Sequence, residues 1–119
     1  MARASEIANS LQMPFTLEVA NDPFFGRAGR LKADNQRSQN LKFELLIPIN
    51  DGDGPTACMS FNNHLSHFGS VWDIQTEDGI AAHSGCVGIG LERFTLGLLK
   101  QHGLQVTEWP AEVRHRLWP

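Results

Sequence analysis

Gly85-Cys86-Val87-Gly88-Ile89-Gly90-Leu91-Glu92-Arg93 is the stretch on which the reading of this 119-residue chain turns. Before it, Ile80 to Cys86 reads as a strand. After it, Leu91, Phe94, Thr95, Leu98 and Leu99 recur on one face of a helix predicted over Leu91 to His102, with Gly103 as its stop. The stretch is therefore a strand entering a helix through glycines, with an arginine in the first helical turn. Gly88-x-Gly90 resembles the start of a dinucleotide fingerprint, but the third glycine would fall at Arg93 and no parallel strand-helix-strand unit surrounds it. Glycines let a planar or anionic ligand approach the backbone, and a helix N-terminus and a guanidinium both favour phosphate oxygens. Two readings stay open on spacing alone: a phosphate-binding turn, or a tight connection carrying a surface arginine.

Working outward, Ala4, Ile7, Ala8 and Leu11 predict a helix over Ala2 to Gln12, and Phe15, Leu17 and Val19 alternate as a strand. Phe24 to Asn40 reads as a long loop, with Arg27, Arg30, Lys32 and Arg37 clustered in it. Leu41 to Ile49 is the clearest strand, Asn50 to Pro55 a turn, and Thr56 to Asn62 the returning strand. Val71 to Gln75 and Ile80 to Cys86 are expected to form a second hairpin about Thr76-Glu77-Asp78-Gly79. A last short helix runs from Pro110 to about Arg116. Consecutive strands joined by short turns predict an α+β fold, an antiparallel sheet flanked by helices.

The composition, 41% hydrophobic and 19% charged with a formal net charge of -3, argues against disorder and coiled coil. It also gives no general reason to expect nucleic-acid binding. No run approaches the roughly 18 apolar residues of a membrane span, and Met1 to Gln12 lacks the apolar core of a signal peptide, so a cytoplasmic protein without a membrane partner is expected. Cys58 and Cys86 are then expected as thiols or metal ligands rather than a disulfide.

Four further features carry alternatives. Glu44, on the strand face opposite Phe43 and Leu45, suits a magnesium ion bridging nucleotide phosphates, or is a solvated outward side chain. Asp51-Gly52-Asp53-Gly54 lacks the later residues of a calcium loop and reads as a turn. His64-x-x-His67 would put two imidazoles on one helical face, too few for a metal site. Cys86 by its chemistry alone reads as a buried, inert thiol.

The Gly-Cys-x-Gly-x-Gly-x-Glu-Arg stretch resembles the third signature motif of class II aminoacyl-tRNA synthetases. Its form, with Cys before the glycines, is similar to the zinc-dependent atypical seryl-tRNA synthetases and more closely to the amino acid:[carrier protein] ligases. That resemblance extends along the chain through Ala20 to Arg27, Leu41-Lys42-Phe43-Glu44-Leu45, Thr56 to His64, His67-Phe68-Gly69 and the final Arg-x-Leu-Trp-Pro.

The resemblance implies ATP, magnesium and zinc as cofactors, and an amino acid and an acidic carrier protein as partners, with tRNA not expected. It implies that Arg93 holds the terminal phosphates, that Gly88 and Gly90 let the adenine end pack nearby, and that Glu44 coordinates the nucleotide's magnesium. Ser60 and Asn62 would line the same pocket, and Cys86 would be one of three zinc ligands. The second-motif arginine and the other zinc ligands would lie before Ala2. Residues 1 to 119 are therefore expected to be the C-terminal portion of a class II synthetase-like catalytic domain, with the third motif at 85 to 93. The separate chain would then be inactive for want of the upstream motifs, and a homodimer or the missing N-terminal half is a further partner expected of it. The alternative function is a synthetase-like protein or a non-catalytic remnant that binds carrier protein or nucleotide.

Overall fold

The computed structural model describes residues 1 to 20 and 40 to 119. The order of elements is α1 (Ala2–Ser10), β1 (Thr16–Val19), β2 (Lys42–Ile47), β3 (Thr56–Leu65), α2 (His67–Trp72), β4 (Ser84–Ile89), α3 (Leu91–His102), a 3-10 turn at Val106–Glu108, and α4 (Ala111–Leu117). The strands form a four-stranded antiparallel sheet in the order β1-β2-β3-β4, so the expected α+β class holds. The loop expected over Phe24 to Asn40 and its basic cluster lie, except for Asn40, outside the described residues.

The chain divides into two compact units. The first comprises Met1–Leu17, Leu45–Met59 and Ile89–Pro119. Its core is apolar: Ala8, Leu45, Ile47, Cys58 and Val113 are almost wholly removed from solvent, and each large aliphatic side chain so buried contributes about 1.5–3 kcal/mol. Helix α3 lies close to this core through Gly97, where a methyl group would sit 2.8 Å from Met13 Cε and 3.0 Å from Ile47 Cγ2. Polar ties fix the connections. His102 Nε2 lies 2.9 Å from the Leu11 carbonyl, and Trp109 Nε1 donates to the Gly103 carbonyl at 2.9 Å. Lys100 pairs with Asp51 of the β2–β3 turn at 2.7 Å.

The second unit comprises Glu18–Glu44 and Ser60–Gly88. Its centre is an approach of backbone to backbone: a methyl group on Gly69 of α2 would sit 2.7 Å from Ala82 N and 3.0 Å from Ala82 C. Gly69 O accepts from Ile74 N, and Ile74 O from Ala82 N, so helix, turn and the approach to β4 are tied in series.

Several expected elements are corrected. Val71 and Trp72 belong to helix α2 and not to a strand, and the hairpin about Asp78-Gly79 keeps only a single bridge, Gln75 with Ala81. The last strand is Ser84–Ile89, so Gly85 and Gly88 lie within it and Gly90 alone caps α3. Strand β3 runs on to Leu65, and α1 stops at Ser10. His64 is on β3 while His67 opens α2, so the two do not share a helical face. On α3 the inward side is Gly97 and Leu98, while Leu91 and Thr95 are exposed.

Candidate functional site

In the second unit the cross-strand contacts of β3 and β4 place side chains in rows on one face of the sheet. Gly88 stands against Ser60, whose Oγ would be 2.9 Å from a Cβ at that position. Asn62 Nδ2 donates to Cys86 Sγ at 3.3 Å, and His64 Nδ1 lies 3.2 Å from Ser84 Oγ. Successive rows are two residues apart, the spacing at which a strand returns to the same face. On the other side of β3, Asn63 N donates to the Leu41 carbonyl at 2.8 Å. In an antiparallel ladder that register brings Lys42 opposite Asn62 and Glu44 opposite Ser60.

Five of the residues picked from the sequence therefore gather on this face: Glu44, Ser60, Asn62, Cys86 and Gly88. Glu44 is not a fully solvated outward side chain. Its Oε1 lies 3.5 Å from Lys42 Nζ, and the two side chains are only 25% and 10% exposed, which makes their attraction stronger than that of a surface pair. Cys86 departs from the buried thiol expected of its chemistry: it is exposed, as is nearly all of β4, the last strand in the order.

The other two picked residues, Gly90 and Arg93, belong to the first unit. Gly90 N donates to the Cys58 carbonyl at 2.9 Å, and Arg93 Nη1 donates to the Ala57 carbonyl at 2.9 Å. This bond holds the guanidinium beside the start of β3. Cys58, buried next to it, has its thiol pushed above the usual range by burial, against the opposing pull of Arg93 and of a hydrogen bond from the backbone of Ile47. It is an inert core thiol, in keeping with its place in the sequence pattern.

Sequence reasoning passed over Lys42 and Ser84. Both were legible as the residues two positions from Glu44 and Cys86, hence on the same face of their strands. Among the described residues no group of three or more His, Cys, Asp or Glu is placed to hold a metal, and no helix is long and apolar enough to cross a membrane.

No protein-family model matches the chain. It is 50% identical over 114 residues to amino acid–[acyl-carrier-protein] ligase 1 of Bradyrhizobium diazoefficiens, covering 96% of this chain and 35% of that protein. It is 46% identical to ligase 2 of the same organism, covering 97% and 34%, and 29% identical to the type-2 serine–tRNA ligase of Methanopyrus kandleri, covering 93% and 22%. The crystal structure of M. kandleri SerRS in complex with A. aeolicus tRNASec superposes with a TM-score of 0.76 at 26% identity, over 98% of this chain and 23% of that one. The chain thus spans about a third of the length of the carrier-protein ligases it matches. Along nearly its whole length it is similar to amino acid–[acyl-carrier-protein] ligases and, more distantly, to type-2 serine–tRNA ligases.

Proposed function

We propose that this chain is the C-terminal catalytic portion of an ATP-dependent ligase that activates a small amino acid as its adenylate and passes it to the phosphopantetheine thiol of a carrier protein. The observation that carries the reading is the gathering of Glu44, Ser60, Asn62 and Cys86 on one sheet face of a chain 50% identical to a carrier-protein ligase. Identity to the serine–tRNA ligases is markedly lower, which favours carrier protein over tRNA as acceptor.

In the first half-reaction an oxygen of the amino acid carboxylate attacks the α-phosphorus of ATP in line. A bond to phosphorus forms, the bond to the bridging oxygen breaks, and pyrophosphate leaves with its electron pair. Catalysis of this kind rests on positioning and on charge placed where the phosphates develop it. Arg93, fixed by its bond to Ala57, presents its guanidinium to terminal phosphates. Ser60 and Asn62 offer a hydroxyl and an amide to the nucleotide, and Gly88 keeps that side of the face low. In the second half-reaction the carrier thiol, as thiolate, attacks the acyl carbonyl and AMP leaves.

Magnesium fits Glu44, since that ion is commonly held by one or two carboxylates together with substrate phosphates, and when bound it would supply charge neutralisation. A catalytic zinc takes three protein ligands, and the described residues bring one thiol, Cys86. They do not by themselves fit zinc. A second reading is binding of nucleotide or carrier protein without chemistry.

ATP–pyrophosphate exchange by the protein that carries this sequence, with glycine or alanine, tests the proposal. Exchange that depends on the amino acid, falls at least tenfold in Arg93→Ala and Glu44→Gln, and is followed by loading of a phosphopantetheinylated carrier supports it. Loading of tRNA in place of the carrier overturns it, and nucleotide binding without exchange points to the second reading.

A further inference from the structure

The row beyond Asn62 and Cys86 is used by nothing in the mechanism above. There His64, held on β3 with its Nδ1 3.2 Å from Ser84 Oγ, also meets Phe68 edge to face, with ring centroids 4.8 Å apart and planes at 88°. The imidazole is thus fixed from two sides, by a hydrogen bond across the strands and by an aromatic ring from α2. It is partly buried, as is Ser84, so the ring is a defined wall and not a mobile surface group.

Position along the strands gives the wall its meaning. If the nucleotide's phosphates lie at the Glu44, Ser60 and Gly88 row, an aminoacyl-adenylate extends its amino acid toward Asn62 and Cys86. Each row is about 6.8 Å from the next. A small amino acid spans one such step and a long side chain needs the following one, which the imidazole occupies. We propose that the His64 ring, braced by Ser84 and Phe68, closes the amino-acid end of the site and restricts the substrate to amino acids with small side chains. The inference rests on the function proposed above and adds to it the residue that sets the substrate class.

The test is competition binding of two non-reactive adenylate analogues, alanyl- and leucyl-sulfamoyl adenosine, with ATP binding measured alongside. His64→Val removes the ring but suits a strand, His64→Phe keeps the bulk without the hydrogen bond, and Ser84→Ala removes one brace. Space of about one methylene changes discrimination by roughly 10–200-fold, so His64→Val should lower the alanyl-over-leucyl preference at least tenfold. ATP affinity should stay within about twofold, since the ring lies beyond the phosphate row. His64→Phe should retain the preference, and Ser84→Ala should fall between. A role confined to folding would weaken ATP and both analogues together, and that outcome overturns the proposal. So does an unchanged preference in both His64→Val and Ser84→Ala, which leaves the ligase reading intact. Should the unaltered protein bind ATP but neither analogue, the ligase reading fails and the wall fails with it.

Discussion

Gly69→Ala gives the most direct test of how the second unit holds β4 in place. The new methyl would sit 2.7 Å from Ala82 N, against ordinary van der Waals contact beyond 3.4 Å, an overlap no rotamer can relieve because Ala82 presents backbone. Overpacking of this kind costs about 1–3 kcal/mol. Relief by backbone movement would strain the bonds from Ile74 N to Gly69 O and from Ala82 N to Ile74 O, each worth about 1 kcal/mol net. Against this, alanine gains up to about 1 kcal/mol over glycine in a helix. The expected result is a net loss of about 1.5–4 kcal/mol in urea unfolding, followed by the fluorescence of Trp72, which lies in the same helix. Ser70→Ala, at an exposed position of α2, is the control and should be neutral or raise stability by a few tenths of a kcal/mol. If Gly69→Ala stays within about 0.5 kcal/mol of the unaltered chain, the close packing of α2 on residue 82 is refuted.

Iodoacetamide should label one thiol per chain in the native state and two after denaturation, because Cys86 is exposed and Cys58 buried; native labelling of Cys58 would contradict the core described above. Burial raises the Cys58 thiol, so the folded state holds that proton more tightly than the unfolded one. The resulting stability is complete below the unfolded thiol's value of about 8.5 and is lost as pH rises above it. Thermal stability should therefore fall at alkaline pH, and Cys58→Ala should remove that part of the slope. Lys42→Met, which takes the ammonium from beside the part-buried Glu44 carboxylate, should lower stability by more than an exposed lysine substitution such as Lys100→Met. Equal losses in the two variants would show that the Lys42–Glu44 pair behaves as a surface pair.

The hairpin of β2 and β3 was readable because its residues alternate and its turn is rich in Asp and Gly. Helix α3 was readable because apolar residues recur on one face and a glycine follows it; Leu98 of that face is buried, while Gly97 beside it faces inward because Met13 and Ile47 leave room for no more. The end of α2 departs from expectation, since Val71 and Trp72 read in sequence as the start of a strand and instead close the helix. The helix is bounded by Leu65 and Asp73 in left-handed conformations, which those residue types do not announce. Of the candidate site, Glu44, Ser60, Asn62, Cys86, Gly88, Gly90 and Arg93 are proposed from sequence, and only the fold shows which of them meet. Asn62 reaches Cys86 across two strands, whereas Arg93 is tied to Ala57.

The sequence by itself determined the antiparallel α+β class and the residue types capable of phosphate and amino acid chemistry, since alternation, turn residues and the Gly-x-Gly-x-Glu-Arg run are local properties. Tertiary structure decided the exposure of Cys86, the burial of Lys42 beside Glu44, and the rows that put His64 against Ser84. Those depend on strand order and register, which hydrogen bonds between residues distant in the chain set and local pattern does not encode.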